Sequence, residues 1–301
     1  MRARWVLILC SFLGTMLLTA CQASVPDPST GRPVARPDQR AITYGGRTFR
    51  VIRNVAYATH AGVQLRLDVY RPTGHKPLPA VLDVHGGGWF SGSRRRATLP
   101  PLALADHNFV VFVPDYRLAC NDIRRPLCGY HYRAPLKDVR AALEWMRSHG
   151  SDFHATTTSV AAVGTSAGGH LAQMLGVTGE EGGTRADAVV SWSGSSQLAV
   201  RARSPASFAT VADYLGCGLR ECPNRWRMMS PISHVSSASA PMMLVQSRRD
   251  PIVPASTARH MARALRRRRV VVRLWMRAGG LHARFGPRVL RESAHWLHRH
   301  M

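Results

Sequence analysis

The chain has 301 residues and is strongly basic, with 41 lysines and arginines against 17 acidic residues and a formal net charge of +24. Only Lys76 and Lys137 are lysines, and no aromatic side chains alternate with basic ones as in proteins that stack on single-stranded nucleic acid. We therefore expect no nucleic-acid partner, and we predict that the arginine runs 94–96 and 266–269 are solvated surface. The charge favours attraction to an anionic membrane or wall surface.

The first residues predict export. Met1-Arg2-Ala3-Arg4 is basic and is followed by an apolar stretch from Trp5 to Leu18, which is shorter than the roughly 18 residues that a membrane span needs. The ending Leu18-Thr19-Ala20-Cys21 resembles the lipobox of bacterial lipoproteins. The resemblance implies that residues 1–20 are a signal peptide and that Cys21 carries lipid, which would hold the protein on a membrane of the bacterial cell envelope. Simple secretion after cleavage nearby is the alternative.

The rest of the chain predicts a tether followed by one domain. Residues 21–43 hold several prolines and show no apolar periodicity, so we interpret them as a flexible tether and place the domain at 44–301. Strands are predicted over 49–58, 65–70, 79–84, 109–113, 158–163, 186–192, 241–246 and 270–276, and helices over 99–106, 134–147, 170–175, 254–265 and 286–298. Residues 193–239 are predicted to be irregular. Apolar strands separated by amphipathic helices predict an α/β fold, with a mostly parallel sheet that starts antiparallel.

The cysteines predict two local disulfides. Once Cys10 has left with the signal and Cys21 carries lipid, four cysteines remain in two close pairs. These pairs are Cys120 with Cys128 and Cys217 with Cys222. Export favours disulfide formation within each pair, which would stabilise a loop by roughly 2–3 kcal/mol. A four-cysteine metal site is the alternative, but neither pair has the C-x-x-C spacing typical of such sites.

A candidate nucleophile lies at the turn between the strand 158–163 and the helix 170–175. The stretch Gly164-Thr165-Ser166-Ala167-Gly168 is a G-x-S-x-G pattern between a buried strand and a helix, which is the setting of a nucleophile elbow. So tight a turn needs small neighbours, and Gly164 and Gly168 supply that room. Ser166 would stand at the helix N-terminus, where backbone N–H groups favour a developing negative charge.

The acid and the base of a triad are predicted at the ends of later strands. Asp250 follows the strand 241–246 directly, whereas Asp187 opens a strand and Asp213 lies in the irregular region. His282 follows the last strand through Gly279-Gly280-Leu281; His260 and the histidines near the C-terminus fall on helices. The carboxyl ends of parallel strands collect ligands at one edge of a sheet. The order Ser166, Asp250, His282 matches that of an α/β-hydrolase triad.

A glycine run predicts the oxyanion hole. His85-Gly86-Gly87-Gly88-Trp89 follows the strand 79–84, and glycines allow backbone N–H groups to face a substrate without obstruction by side chains. We predict that the N–H groups of Gly86, Gly87 and Ala167 bind the carbonyl oxygen. Trp89 and Phe90 are candidates for the pocket wall, although they could equally be ordinary core or loop aromatics.

Taken together, these motifs resemble carboxylesterases of the α/β-hydrolase superfamily, in the branch of hormone-sensitive-lipase-like and BD-FAE-like esterases. The residues that carry the resemblance are His85-Gly86-Gly87-Gly88-Trp89, Asp115-Tyr116-Arg117-Leu118, Gly164 to His170, Asp250-Pro251 and Gly280-Leu281-His282. The resemblance implies a serine hydrolase that cleaves small-molecule carboxylic esters without a metal or an organic cofactor.

The chain departs from the family pattern at two places. Gln246-Ser247 stands where the family has His-Gly, and a cysteine-containing insertion follows Leu118. We expect these departures to change substrate shape rather than the triad. His85 and His170 are interpreted as structural. No long lid is evident, which favours short or medium acyl groups, although residues 195–231 could form a partial cover.

Three other interpretations stay open at the level of sequence. The same apparatus can cleave formamides or other amides, and the sequence does not separate these from esters. A hydrolase-fold lipoprotein that only binds its ligand would be expected to lack part of the triad or of the oxyanion loop, and this chain holds candidates for both. The third interpretation is a basic surface adhesin. Only the net charge supports it, and it predicts binding that is lost when the salt concentration is raised.

Overall fold

The fold is built on a nine-stranded sheet, seen in a computed structural model that describes residues 38–96, 100–120, 126–200 and 205–301. The described strands are β1 Asp38–Tyr44, β2 Arg47–His60, β3 Val63–Pro72, β4 Leu78–Val84, β5 Val110–Pro114, β6 Ala155–Thr165, β7 Ala188–Trp192, β8 Met242–Ser247 and β9 Val272–Arg277. The described helices are α1 Pro101–Asp106, α2 Arg133–His149, α3 Ala167–Val177, α4 Pro205–Leu215, α5 Pro223–Met228, α6 Ala255–Arg267 and α7 Pro287–His300. None of these helices is long and apolar enough to cross a membrane.

The strand order is β1-β2-β3-β5-β4-β6-β7-β8-β9. The first three strands pair antiparallel, with the turn Ala61-Gly62 between β2 and β3, and β3 pairs antiparallel with β5. The other six strands run parallel to one another. This is the α/β-hydrolase architecture predicted from the sequence, and it brings the carboxyl ends of β4, β6, β8 and β9 to one edge.

Helices cover both faces of the sheet, as a buried parallel sheet requires. Buried residues of α2, α3 and α6, such as Leu143, Leu171 and Leu265, pack with one face of the strands in a single core. Leu104 of α1 and Leu297 of α7 belong to a second core on the other face. The sheet is therefore rigid, and the loops at its edge are held on a fixed frame.

Three sequence predictions differ from the structure. Strand β1 lies within the predicted tether, and the sheet begins at Asp38 rather than after residue 44. The prediction of an irregular region over 193–239 was wrong for the segments that form α4 and α5. Arg94 was predicted to be solvated surface, but its side chain is nearly buried and pairs with Asp68 and Asp115. The predicted signal peptide and Cys21, with most of the tether, lie outside the described residues.

The two cysteine pairs are joined as disulfides in the structure. Cys120 is bonded to Cys128 and closes the loop that follows Leu118. Cys217 is bonded to Cys222 and connects the end of α4 to the start of α5. The second disulfide therefore holds α4 and α5 together.

Candidate active site

The structure brings together the three side chains of the predicted triad, which are far apart in sequence. The imidazole Nε2 of His282 lies 2.8 Å from Oγ of Ser166. Its Nδ1 lies 3.0 Å from each carboxylate oxygen of Asp250. This pattern assigns the Nδ1–H tautomer to His282, so that Nε2 is free to accept the proton of the serine hydroxyl. A nucleophile, a base and an orienting acid are thus linked by one chain of hydrogen bonds.

Ser166 stands on a strained turn between β6 and α3. Its backbone has φ 53° and ψ −119°, a conformation that side-chain-bearing residues rarely adopt. The turn fits because Gly164 and Gly168 have no Cβ. A Cβ on Gly164 would collide with the backbone of Gly168, and one on Gly168 would collide with the carbonyl of Val84 on the neighbouring strand. The elbow is therefore set by backbone packing.

Asp250 is held as a carboxylate by its surroundings. Burial alone would raise its pKa, but the hydrogen bond and charge of His282 and the amides of Val253 and Ile252 together hold the pKa of Asp250 below its ordinary value. Those two amides donate to Oδ1 at 3.0 and 2.9 Å. The carboxylate therefore has both a fixed rotamer and a stable negative charge.

Gln246 and Ser247, the two departures from the family pattern, also contact the triad. The Nε2 of Gln246 donates to Oδ2 of Asp250 at 2.9 Å and to the carbonyl of Val253 at 3.2 Å. The hydroxyl of Ser247 donates to the carbonyl of Leu281 at 2.6 Å, one residue before His282. The departures leave the triad assembled, as predicted, and the pair holds both the acid and the loop of the base.

Ser193 is a further residue of the site that the sequence predictions missed. It follows β7 directly, is fully buried and has φ 51°. Its Oγ accepts a hydrogen bond from the N–H of Ala283 at 3.1 Å, so the histidine loop is held on both sides of His282. The signal was available, because residues at the carboxyl end of a parallel strand gather at the site. It was missed because a serine in that position has no motif.

An open cavity of about 700 Å³ adjoins the triad. Gly86, Gly87 and Ala167, the predicted oxyanion donors, line it together with Ser166. Gly87 has φ 126°, a conformation that favours glycine, which aligns the loop along the cavity wall. The cavity is of the size typical of small-molecule sites.

The two predicted pocket aromatics line this cavity in different ways. Trp89 is buried, its ring stacks on Tyr214 at 4.4 Å, and its Nε1 donates to Nδ1 of His170 at 3.2 Å. Phe90 also lines the cavity and is 45% exposed. Trp89 therefore anchors α4 to the oxyanion loop, while Phe90 is available to a ligand.

His170 and His85 serve the framework. Burial lowers the pKa of His170 to about 4, although its hydrogen bond to the carbonyl of Met229 opposes the shift. Burial also lowers the pKa of His85, whose ring stacks on Tyr116 at 4.1 Å and whose Nδ1 lies 2.8 Å from the carbonyl of Gly86. Both rings are neutral near pH 7 and fix the loops on either side of the oxyanion donors.

The residues that the sequence offered as alternatives to Asp250 and His282 have other partners in the structure. Asp187 pairs with Arg147 at 2.8 Å and binds the amide of Val160. His260 lies on α6 and contacts Gln197 at 3.0 Å. Within the described part of the chain, no group of three or more His, Cys, Asp or Glu side chains is arranged to hold a metal ion.

A doubly wound sheet, a serine on a strained elbow and a histidine between that serine and a buried aspartate define an α/β-hydrolase. The model of the BD-FAE family matches residues 67–265, which is most of the chain. This protein therefore belongs to the BD-FAE family. The match ends before His282, so the base is identified by geometry.

Curated relatives include two esterases of Mycobacterium tuberculosis. Esterase LipC is 31% identical over 222 residues, which are 66% of this chain and 52% of LipC. Esterase LipQ is 23% identical over 215 residues, which are 66% of this chain and 49% of LipQ. This chain thus spans about half the length of these relatives.

Solved structures with similar folds include two kinds of esterase. A truncated carbohydrate esterase from gut microbiota superposes with a TM-score of 0.71 at 20% identity, over 83% of this chain and 95% of that chain. Propionate-bound esterase 2 of Thermogutta terrifontis gives a TM-score of 0.66 at 22% identity, over 81% and 92% of the two chains. At these identities the likeness shows the shared α/β-hydrolase fold.

Proposed function

We propose that this protein is a serine hydrolase that cleaves carboxylic esters through an acyl-enzyme on Ser166. The observation that carries the proposal is the unbroken hydrogen-bond chain from Ser166 Oγ through His282 to Asp250, with links of 2.8 and 3.0 Å. Membership of a family of esterases and the open cavity beside Ser166 support the same function.

In the proposed mechanism, Oγ of Ser166 attacks the ester carbonyl carbon while its proton passes to Nε2 of His282. The N–H groups of Gly86, Gly87 and Ala167 hold the oxyanion, and each donor of this kind lowers the barrier by roughly 3 kcal/mol. The tetrahedral intermediate expels the alcohol, which takes the proton from His282. Water then attacks the acyl-enzyme with His282 as base, and releases the acid. Asp250 offsets the positive charge of His282 in both halves.

We also propose that the acyl group is short or medium in length. The cavity is lined by apolar side chains of the cover, among them Leu198, Phe208 and Val211, which suit an aliphatic or aromatic acyl chain. Its volume of about 700 Å³ and its open form favour a small substrate over a long-chain triglyceride. The structural relative from Thermogutta terrifontis has been solved with propionate and with butyrate, which are acids of this size.

The decisive experiment compares wild-type protein with Ser166→Ala on aryl esters from acetate to decanoate, with matched aryl amides run alongside. We expect ester cleavage that is fastest for short or medium chains and that falls by a factor of roughly 10⁴ or more in the variant. Ser148→Ala on the exposed end of α2 is the matched control and should keep full activity.

A fluorophosphonate probe gives a second readout of the same proposal. The probe should label wild-type protein and the Ser148→Ala control but not Ser166→Ala, provided that circular dichroism gives the same folded spectrum for all three. Retained hydrolysis or labelling in Ser166→Ala would refute the nucleophile. Faster cleavage of the amides than of the esters would replace the ester assignment by the amide one.

We propose further that the enzyme acts in the bacterial cell envelope and is anchored by lipid on Cys21. The lipobox-like Leu18-Thr19-Ala20-Cys21 supports this, and two disulfides in the folded domain suit an oxidising compartment. Mass spectrometry of the mature N-terminal peptide should find a diacylglyceryl-modified cysteine. Cys21→Ser should release the protein from membranes, and an unmodified Cys21 in mature protein would contradict the anchor.

A further inference from the structure

One charged side chain on the wall of the active-site cavity has no part in the proposed reaction. Apart from His282, Arg284 is the only ionisable residue among the described residues that line the cavity. It is exposed, and no carboxylate in the described part of the chain pairs with it. An unpaired guanidinium that lines a substrate cavity is free to bind a ligand.

The charges around Arg284 reinforce its own. No described acidic side chain lines the cavity, and Asp250, the acid of the triad, is buried and bonded to His282 and Gln246. The exposed Arg248 and Arg249 lie beside Asp250 in the same loop. A cleft with charges of one sign attracts ligands of the opposite sign and speeds their association. The cavity therefore presents a positive field to an entering substrate.

The position of Arg284 indicates which half of an ester it would meet. His282 must pass a proton to the departing alcohol, so the alcohol half of the substrate lies against the histidine loop. Arg284 is two residues further along that loop, directly after Ala283, whose N–H is fixed by Ser193. The wall formed by Leu198, Phe208 and Val211 is apolar and suits the acyl half. The charge thus falls on the alcohol side.

We propose that Arg284 determines specificity and that the enzyme prefers acyl esters of alcohols that carry a carboxylate. This inference rests on the proposed ester hydrolysis and names its substrate class. The planar guanidinium can bind a carboxylate with two parallel hydrogen bonds, which orients the alcohol half as well as attracting it. The acyl half needs no charge, because the apolar wall binds it.

The test compares 3-acetoxybenzoate with its uncharged isostere 3-acetoxybenzamide. For each ester, kcat/KM is divided by the rate of alkaline hydrolysis, which removes the intrinsic difference in reactivity. We expect wild-type protein to prefer the carboxylate ester by about tenfold, the size of one charge-assisted hydrogen bond at a partly exposed site. The preference should shrink as salt is raised, because salt screens exposed charges.

Three substitutions sharpen the result. Arg284→Gln should reduce the ratio of the two esters to about twofold or less, and Arg284→Lys should keep part of it, because lysine retains the charge but not the planar fork. Arg248→Gln removes the same charge from the neighbouring rim without touching the cavity wall, and should leave most of the ratio in place.

The outcomes separate this inference from the function on which it rests. A wild-type ratio near one, a ratio unchanged in Arg284→Gln, or an equal loss in Arg248→Gln would overturn the role of Arg284 while cleavage of the uncharged ester continued. If wild-type protein cleaved neither ester, the proposed function and this inference would fall together. A tenfold ratio that depends on Arg284 supports the inference.

Discussion

The two ends of the triad are held in place by different kinds of force. At the nucleophile end, Ser166 is fixed by backbone packing, because Gly164 and Gly168 let two chain segments approach more closely than any Cβ would allow. At the acid–base end, the side chain of Gln246 donates to Asp250, and those of Ser247 and Ser193 bond to the backbone on either side of His282. One end depends on the absence of side chains, and the other depends on their presence.

Damage at the two ends should therefore take different forms. Backbone packing at the elbow is part of the core, so a larger side chain there must displace a strand and costs folding free energy. Hydrogen bonds at the acid–base end orient two side chains, so their loss should cost catalytic rate before it costs stability. Substitutions at the two ends should therefore separate a loss of folding from a loss of rate.

The largest effect is expected from Gly168→Val. A branched side chain at this position collides with the carbonyl of Val84 on the central strand β4, and no flexible group is there to move aside. We expect a loss of more than about 4 kcal/mol, enough to prevent folding of a marginally stable domain. Expression and circular dichroism check this, with Gly286→Val as the control, because nothing lies within 4 Å of a Cβ at Gly286 and its φ of −77° suits any residue. A folded, active Gly168→Val would show that the elbow is not set by packing.

The next largest effect is expected from Asp250→Asn. The amide keeps the shape of the carboxylate but favours the wrong tautomer of His282 and no longer offsets its charge, so kcat/KM should fall by roughly 10³–10⁴. Because the pKa of Asp250 is held below its ordinary value, the wild-type side chain is a carboxylate near neutral pH. The substitution therefore removes a negative charge from beside His282. The free energy of unfolding, measured in urea, should change much less than the rate. If Asp250→Asn lowered the free energy of unfolding but left turnover unchanged, the acid–base end would serve folding and not catalysis.

A smaller effect is expected from Gln246→Met, which keeps the side-chain volume and removes the hydrogen bond to Asp250. A carboxylate that can rotate misplaces His282, and we expect kcat to fall by about tenfold to a hundredfold with little change in KM. The control is the double variant with Asp250→Asn. If Gln246 acts through Asp250, the second substitution should add almost nothing. Full additivity would mean that Gln246 affects the rate by another route.

The same contrast explains how much of the site could be predicted from the sequence. The elbow was predictable because its requirement, small residues around one serine, falls within five consecutive positions. Asp250 and His282 were predictable because each follows a strand at the same edge of the sheet. Ser247 and Ser193 were not predicted as positioning residues, since their hydrogen bonds reach Leu281 and Ala283 far along the chain and no local pattern encodes them. Gln246 was not predicted either, because its bond to Asp250, four residues on, depends on the turn that follows β8.

The secondary structure could also be predicted only in part from the sequence. The parallel strands are apolar runs and were predicted, whereas β1 is an edge strand with mostly exposed side chains and looks like a polar tether in sequence. Helix α5 has only six residues, too few to show helical periodicity. It is held by tertiary contacts instead, with Trp226 buried against Phe208 of α4 and a disulfide beside it.

The smallest effect is expected from comparing Ser166→Gly with Ser166→Ala, which tests whether the backbone of the nucleophile is strained. With φ 53° and ψ −119°, Ser166 occupies a backbone conformation that glycine adopts freely and that costs other residues about 1–3 kcal/mol. Ser166→Gly and Ser166→Ala both lack the nucleophile, but the glycine variant should be more stable in urea by about 1 kcal/mol, after its larger loss of chain entropy. The same pair at Ser148, within helix α2, is the control and should show the opposite order, because glycine weakens a helix by about 1 kcal/mol relative to alanine. If alanine were the more stable residue at both positions, the elbow would store no strain, and the tight packing of Gly164 and Gly168 would be the whole of what holds the nucleophile in place.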